Sequence, residues 1–296
     1  MKIFEIFEFS LEKSYYKPGE IIKGSLNLKT NSGIHATKIS ILFHGCARVY
    51  WTTNSNGLFP DNIPHGNHVV YVQKSLVFSN NNEGYDLNGE YSYPFEIQLP
   101  SDMPSSLNGY INYYLRACIH IPWKFKKKIK HPIRVINPVN FNLNSHLKQS
   151  VTLEDTQMIS SFRCKSLPVT IRLSIAKSGF VVGENIMFDA FIDNQSSRKF
   201  KVYFKIISIT KLFASDGSTI SSSANIARTY FPRNIMEKSR ESWTNGALTI
   251  PMGIHPSNTT SNVVKLFYFA VLRILGKEMF TRASFDVRMP ITIGII

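Results

Sequence analysis

The sequence predicts an all-β protein made of two tandem immunoglobulin-like β-sandwich domains. Three observations lead to this prediction: period-2 alternation of apolar and polar residues, an internal repeat, and the lack of a long helical stripe of apolar residues. A crossover helix would need such a stripe, so a parallel α/β sheet is not expected. With 296 residues, of which 43% are hydrophobic, the chain is long enough to fill two cores.

Alternation is clear in residues 21–28, where Ile22, Leu26 and Leu28 fall on one face of an extended chain. Polar residues fall on the other face, which is the pattern of a half-buried strand. Short β-branched and aromatic runs of the same kind recur along the chain. They are residues 39–43, 69–78, 91–99, 110–121, 169–176, 186–192, 202–209 and 263–275.

The internal repeat lies just before the first clear strand of each half. Four residues of YKPGEII recur as matched types in FVVGENI, each displaced by 164 residues. They are Tyr16, Gly19, Glu20 and Ile22, matched by Phe180, Gly183, Glu184 and Ile186. A second echo pairs LPSDMPSS, at residues 99–106, with IPMGIHPS, at residues 250–257. Such a repeat indicates two copies of one supersecondary arrangement.

We therefore predict two copies of one sandwich, the first at residues 1–145 and the second at residues 167–296. Residues 146–166 are rich in Asn, Ser, Gln and Thr and have little apolar periodicity, which is typical of a linker.

The KPGE segment predicts a tight turn that leads into a strand. Pro18 presets φ at the first central position of the turn, and Gly19 supplies the positive φ of the next. Because Glu20 and Glu184 occupy matched places in two turns, we expect their carboxylates to accept backbone hydrogen bonds rather than to bind a ligand.

The order and spacing of five runs resemble the arrestin fold, specifically its alpha-arrestin or arrestin domain-containing branch. The runs are YKPGEIIKGSLNL, ISILFHGCARVYW, YPFEIQLPSDMPSSLNGYINYYLRACIHIPW, KSGFVVGENIMFDAFIDNQSS and MPITIGII. The resemblance spans nearly the whole chain. It implies one β-sandwich of the arrestin N-terminal type followed by one of the C-terminal type.

The resemblance implies a non-enzymatic cytosolic adaptor. Such a protein binds cytoplasmic parts of receptors, channels or transporters and directs them into endocytosis or endosomal sorting, with recruitment to the plasma membrane and endosomes. Alpha-arrestins commonly recruit HECT-type ubiquitin ligases through Pro-Pro-x-Tyr motifs. These 296 residues contain no such motif. An alternative is a retromer-like structural subunit of an endosomal coat, which shares the fold.

The charge balance favours anionic partners. The chain has 34 Lys and Arg against 20 Asp and Glu, a formal net charge of +14. Such a chain attracts acidic peptides, phosphates and anionic membrane surfaces. The basic residues are not interleaved with the exposed aromatic residues that base stacking requires, so specific nucleic-acid binding is not expected.

Two groups of basic residues are the candidate cargo- or membrane-binding sites. The first group is Lys124, Lys126, Lys127, Lys128 and Lys130. The second group, after the Asn-Gln-Ser-Ser turn of the second domain, is Arg198, Lys199 and Lys201. The first group fits two interpretations: a solvated hairpin, or an electrostatic dock. The docked partner is an acidic or phosphorylated tail, or anionic lipid headgroups, which contribute about 1 kcal/mol per lysine.

No catalytic residue, metal site or cofactor is predicted. The patterns GxSxG, HExxH, GxGxxG and the Walker motif are all absent, and among the histidines only His65 and His68 are closely spaced. The three cysteines, Cys46, Cys118 and Cys164, form no CxxC motif, which fits a reducing cytosolic compartment. Without a signal-peptide pattern or an apolar run of about 20 residues, a soluble protein is expected.

Overall fold

The computed structural model describes residues 4–54, 61–122, 126–139, 141, 144–160, 166–277 and 282–295. The chain divides into two compact units. Unit 1 contains Met1–Asn137, Leu212–Thr219 and Thr260–Val264, and unit 2 contains Pro138–Lys211, Ile220–Thr259 and Lys265–Ile296. The described residues of both units are almost entirely strand and turn, so the all-β prediction is confirmed.

Unit 1 is built around one long antiparallel ribbon. Its strands are β1 (Phe4–Leu11), β2 (Ile21–Asn54), β3 (Asn62–Gln98), β4 (Ile111–His120) and β5 (Lys127–Ile133). The strand order is β1-β2-β4-β5, and β3 pairs with β2. Residues 24–30 of β2 pair with β1, whereas residues 38–47 pair with β4. Register shifts between these two parts let one ribbon serve both layers of the sandwich.

The core of unit 1 comes from alternate residues of these strands. Leu26, Ile41 and Leu115 are fully buried, as period-2 alternation predicts. Tyr113 is also buried, and its hydroxyl donates a hydrogen bond to the Pro104 carbonyl at 2.9 Å. The partner is needed because an unpaired buried hydroxyl is costly.

Two short segments from later in the chain complete unit 1. The Tyr71 hydroxyl and the Ser261 hydroxyl lie 2.8 Å apart. His65 bonds Asp216 at 2.7 Å through Nδ1 and Thr53 at 2.8 Å through Nε2. The hydrogen bond from His65 holds the pKa of the Asp216 carboxyl below its usual range. Both ring nitrogens of His65 are therefore used in holding this unit together.

Unit 2 is a sandwich of two sheets. One sheet has the order β11-β10-β13-β14-β8, and the other has the order β12-β9-β7-β6. The strands are β6 (Val151–Ser160), β7 (Ser166–Ile175), β8 (Gly179–Val181), β9 (Asn185–Asn194), β10 (Phe200–Phe213), β11 (Thr219–Tyr230), β12 (Ser239–Thr249), β13 (Val264–Lys277) and β14 (Arg282–Gly294), preceded by a 3₁₀ turn at Ser145–Lys148. Aromatic packing joins the sheets: the rings of Phe188 in β9 and Phe204 in β10 stack with centroids 3.9 Å apart.

The segment predicted as a linker, residues 146–166, contains a strand. β6 pairs with β7 from Val151, opposite Ile175, to Ser160, opposite Ser166. Most of its described side chains are exposed, because β6 is the edge strand of its sheet. An exposed edge strand leaves little apolar periodicity in the sequence.

The predicted tight turns are present in both units. Gly19 has φ of +80° and Gly183 has φ of +82°, a region that L side chains rarely adopt. The Lys17 N–H donates to the Glu20 carboxylate at 2.9 Å, and the Val181 N–H donates to the Glu184 carboxylate at 3.0 Å. The expectation that both glutamates accept backbone hydrogen bonds is confirmed.

Each turn is also bonded to the second repeated segment of its own unit. In unit 1, the Gly19 N–H donates to the Pro100 carbonyl, and the Leu99 N–H donates to the Glu20 carbonyl, both at 2.9 Å. In unit 2, the Ile250 backbone makes both bonds: its carbonyl accepts from the Gly183 N–H, and its N–H donates to the Glu184 backbone carbonyl. In each unit, therefore, the two repeated sequence segments are hydrogen-bonded to each other.

We predict that Gly19→Ala and Gly183→Ala each cost about 1 to 2 kcal/mol of unfolding free energy, because alanine is strained at positive φ. At Gly19 a Cβ would meet no atom within 4 Å, so the cost there is conformational alone. Gly33 also has open space but lacks a positive φ, so Gly33→Ala should be neutral or slightly stabilising. Hydrogen exchange of β2 and β9 amides in urea measures the effect separately for each unit. An equal cost at Gly33 would contradict the explanation.

A second prediction concerns pH. The hydrogen bond from the Lys17 N–H, helped by the Lys13 amine 3.2 Å away, holds the pKa of the Glu20 carboxyl below its usual range. A depressed pKa means that Glu20 stabilises the fold above its unfolded pKa, and that this stability is lost as the pH falls through the folded value. Glu20→Ala should therefore cost about 1 kcal/mol at neutral pH.

The cost should shrink towards zero below about pH 4, where the wild-type carboxylate is protonated as well. Urea unfolding of the wild type and Glu20→Ala at several pH values measures this difference. A cost that does not depend on pH would show that the Glu20 charge is not what holds the turn.

Candidate anion-binding face

The first predicted basic group lies at an edge of unit 1. Lys127, Lys128 and Lys130 are in β5, the last strand of its sheet, and Lys126 directly precedes it. All four side chains are exposed. Lys124 lies outside the described residues. An exposed edge strand rich in lysine resists pairing with other strands, which is the structural interpretation of this cluster.

Strand register places one of these lysines directly opposite a further cation. Lys130 lies opposite Arg116 on β4, and Lys128 lies opposite Cys118. Lys127 is different, because its partner Ile119 points into the core and Lys127 is therefore on the other side of the sheet. Its exposure comes from its place at the start of β5.

The row of basic residues continues onto β2 and β3. Lys38 lies opposite His120 on β4, and Arg48 lies opposite His68 on β3. We call the outward-facing side chains of this sheet the basic face. Its Lys, Arg and His side chains are Lys38, His44, Arg48, His68, Arg116, His120, Lys126, Lys128 and Lys130.

The parts of the strands that carry the basic face contain no acidic residue. Residues 21–60, 62–82 and 103–153 contain no Asp or Glu, and the Lys, Arg and His residues of this face lie within those ranges. The later part of β3, residues 83–98, does contain acidic residues. Like charges placed opposite each other destabilise a sheet pair, and Arg116 opposite Lys130 is such a pair. One compensation is visible, because the Lys130 amine lies 3.7 Å from the centre of the Tyr114 ring.

The pKa values of two histidines are lowered in part by the positive charge of this face. Partial burial, with repulsion from His68, Arg116 and Lys130, lowers the pKa of the His44 imidazole. Partial burial also lowers the pKa of His120, and Lys126, Lys38 and Lys128 add to the effect. Both imidazoles are thus disfavoured as cations by a surface that is already positive. An anion placed on this face meets attractive potential from several strands at once.

Sequence reasoning found the lysines of β5 but missed Lys38, Arg48 and Arg116. These residues are isolated in the sequence and meet only through strand register. The missed signal was the lack of acidic residues, because the long acid-free ranges are visible in the sequence before any fold is known.

The second predicted group lies in unit 2. Arg198 and Lys199 precede β10, and Lys201 is within it. Lys199 and Lys201 are exposed, whereas Arg198 is half-buried. The turn before them is held by the buried Asn194, whose amide donates to the carbonyls of Arg198 and Met236, both at 2.7 Å. The two predicted groups thus belong to different units.

The described ranges hold no group of three or more His, Cys, Asp or Glu side chains placed to bind a metal ion. Cys46 and Cys118 are half-buried free thiols, and Cys164 lies outside the described residues. A membrane-spanning helix is also absent from the described part of the chain.

Two family models match the chain in tandem. "Arrestin (or S-antigen), N-terminal domain" matches residues 6–142, and "Arrestin (or S-antigen), C-terminal domain" matches residues 165–296. These matches fit the repeated sandwich and agree with the resemblance seen in the sequence.

Curated relatives carry the same domains. Arrestin domain-containing protein 17 of Caenorhabditis elegans is 24% identical over 309 residues, covering 99% of this chain and 70% of the relative. Arrestin domain-containing protein 1 of Homo sapiens is 27% identical over 201 residues, covering 66% of this chain and 44% of the relative. For human arrestin domain-containing protein 5 the identity is 23%, with 64% of this chain and 57% of the relative covered. With both domain models matched in order, this chain belongs to the arrestin family, in its alpha-arrestin branch.

Proposed function

We propose that this protein is a non-enzymatic adaptor that binds acidic or phosphorylated cytoplasmic segments of membrane proteins and directs those proteins into endocytosis or endosomal sorting. Membership of an adaptor family supports the general role. The observation that supports the binding site is the basic face of unit 1, where lysines and arginines of β2, β4 and β5 lie on one face and the parts of the chain that carry them contain no Asp or Glu.

An ordinary solvated surface mixes charges of both signs, because single-sign surfaces repel themselves. The other layer of unit 1 shows that mixture. There, Lys23 pairs with Glu96 at 2.9 Å, and Lys29 pairs with Glu90 at 2.9 Å. By contrast, no salt bridge is found among the described residues for the lysines and arginines of the basic face, which suits this face to a partner that brings negative charge.

The geometry favours an extended acidic peptide as that partner. β5 is an edge strand, and edge strands accept extended peptides as an additional strand through main-chain hydrogen bonds. Lys128 and Lys130 alternate along this edge on one face, at the spacing of alternate side chains of an added strand. A phosphorylated residue brings about −1.5 to −2 charges to such a position.

HECT-type ubiquitin ligases are further proposed partners, and the cytosol with recruitment to the plasma membrane and endosomes is the proposed location. Because the 296 residues contain no Pro-Pro-x-Tyr, a ligase contact within them must use another sequence.

We predict that Lys126→Glu with Lys128→Glu lowers affinity for a synthetic phosphoserine- and glutamate-rich peptide about tenfold or more at physiological salt. Each reversal replaces an attraction by a repulsion, and exposed charge pairs are worth about 0.2 to 1 kcal/mol each. Both side chains are exposed, so each change should alter folding stability by no more than about 0.5 kcal/mol. Fluorescence anisotropy measures the affinity.

The matched control is Lys148→Glu with Lys238→Glu, which changes the net charge equally at two exposed lysines of unit 2. The control should keep near wild-type affinity. Equal losses in both double variants would assign binding to net charge alone. Unchanged peptide affinity, together with lost binding to phosphatidylserine vesicles, would show that the basic face binds a membrane surface.

A further inference from the structure

A hydroxyl, an imidazole and a carboxylate form a continuous hydrogen-bonded chain in unit 1. The Thr53 hydroxyl lies 2.8 Å from Nε2 of His65, and Nδ1 of His65 lies 2.7 Å from a carboxylate oxygen of Asp216. We call these three residues the triad. A hydroxyl within hydrogen-bond reach of a base that a third group orients is the arrangement of an activated nucleophile. The triad thus has the mutual geometry of a nucleophile, its base and the group that orients the base.

Strand pairing brings the first two members of the triad together. In the β2–β3 pair, Trp51 lies opposite His65, and Thr53 lies opposite Ile63. These four side chains therefore share one side of the ribbon, where Thr53 and His65 are diagonal neighbours. Arg48 lies three residues before Trp51, so it points to the other side, with the basic face. The triad and the basic face are thus on opposite sides of the ribbon.

The hydrogen-bond partners determine which nitrogen of His65 holds the proton. An ionised carboxylate only accepts hydrogen bonds, so Nδ1 of His65 is the donor to Asp216. In the neutral ring Nε2 is then an acceptor, and the Thr53 hydroxyl donates to it. The Thr53 proton is therefore already directed at a base, and the lone pairs of its oxygen can attack an electrophile.

Asp216 is held as a carboxylate in a fixed position. The hydrogen bond from His65, and a second one from the Ser218 N–H at 2.8 Å, lower the pKa of its carboxyl. The neighbouring Ser215 donates its N–H, at 2.9 Å, and its hydroxyl, at 3.0 Å, to the carbonyl of Gly66. These bonds tie the segment that contains the carboxylate to the strand that contains the imidazole. The base is therefore oriented in advance of any reaction.

The triad combines a shielded base with an accessible nucleophile. The His65 side chain is only 11% exposed, and the Trp51 ring stacks on it with ring centroids 5.5 Å apart. Thr53 is exposed, so a reactant in solution can reach its oxygen. Ile63, opposite Thr53, is 45% exposed and offers apolar surface beside the hydroxyl. This surface favours an electrophile with a short apolar group, such as an acyl chain.

We propose that Thr53 is an acyl-acceptor site, with His65 as its base, for an activated acyl donor of the ester or thioester class. The Thr53 oxygen forms a bond to the acyl carbon, and the bond from that carbon to the leaving oxygen or sulfur breaks. The Thr53 proton passes to Nε2 of His65 and then to the leaving group, so the products are a threonine ester and a free alcohol or thiol. Asp216 acts through His65 and is a positioning residue. This single covalent modification goes beyond cargo binding.

The test treats the whole 296-residue chain with p-nitrophenyl acetate and follows the release of p-nitrophenolate, while peptide mass spectrometry locates the acetyl group. We expect one acetyl group per chain, on Thr53. His65→Gln and Asp216→Asn should each slow acetylation of Thr53 about 100-fold or more. His65→Gln removes the base, and in Asp216→Asn the amide can donate to the imidazole and so reverse its tautomer.

Thr52→Ala is the matched control, because Thr52 is the exposed neighbour of Thr53 on β2 and points to the other side of the strand. It should be acetylated at Thr53 as fast as the wild type. Lys126→Glu with Lys128→Glu should also react as the wild type does, since these lysines belong to the basic face. Loss of peptide binding and loss of acetylation are therefore expected in different variants, and each proposal can fail separately.

Thermal unfolding of each variant shows whether it is folded. If His65→Gln does not fold, the comparison uses Asp216→Asn, whose side chain is 47% exposed in the wild type, and Thr53→Ser. Thr53→Ser keeps the hydroxyl and should retain acetylation, whereas Thr53→Ala should lose it. A purely structural role of the triad predicts changes in Tm alone. Acetyl groups only on lysines, or equal acetylation of Thr53 in the wild type and in Asp216→Asn, would overturn the proposal.

Discussion

Each sandwich depends on one tight turn that holds its first internal strand against a distant loop. A glycine at positive φ bends the chain, a glutamate three residues after a backbone N–H accepts from that N–H, and the turn backbone bonds the second repeated segment. A lysine side chain pairs with the glutamate in both units, Lys13 with Glu20 and Lys177 with Glu184. This contact fixes the start of β2, which pairs with β1, β3 and β4, and the start of β9, which pairs with β7 and β12.

Register then determines electrostatics. On the basic face, cations that are far apart in the sequence meet because β2, β3, β4 and β5 pair in one sheet. Like charges are held together there by a fold whose stability comes from the core beneath them. Repulsion within such surfaces lowers the folding stability of the free protein, and binding of an anionic partner relieves that repulsion.

Much of the fold could be predicted from sequence, because its main determinants are local. The positive φ of Gly19 and the capping role of Glu20 follow from turn chemistry, and Ile22, Leu26 and Leu28 are buried as their alternation indicates. The strand β6 could not be predicted, since an edge strand exposed on most of its length carries no apolar pattern.

The predicted lysines at 126–130 are exposed at an edge, but their neighbours Lys38 and Arg116 become visible only when strands are paired. In the sequence Lys205 is not distinguished from other lysines, and its burial becomes visible only when β10 is paired with β11 and β13.

The most direct test of the central claim is affinity purification with quantitative mass spectrometry from cells that express either the wild type or Lys126→Glu with Lys128→Glu. The adaptor account predicts that membrane proteins with acidic or phosphorylated cytoplasmic segments co-purify with the wild type and are depleted with the variant. Equal recovery of the same membrane proteins with both would contradict the role of the basic face. Recovery of a stoichiometric coat complex without membrane cargo would contradict the adaptor account and favour a retromer-like structural subunit.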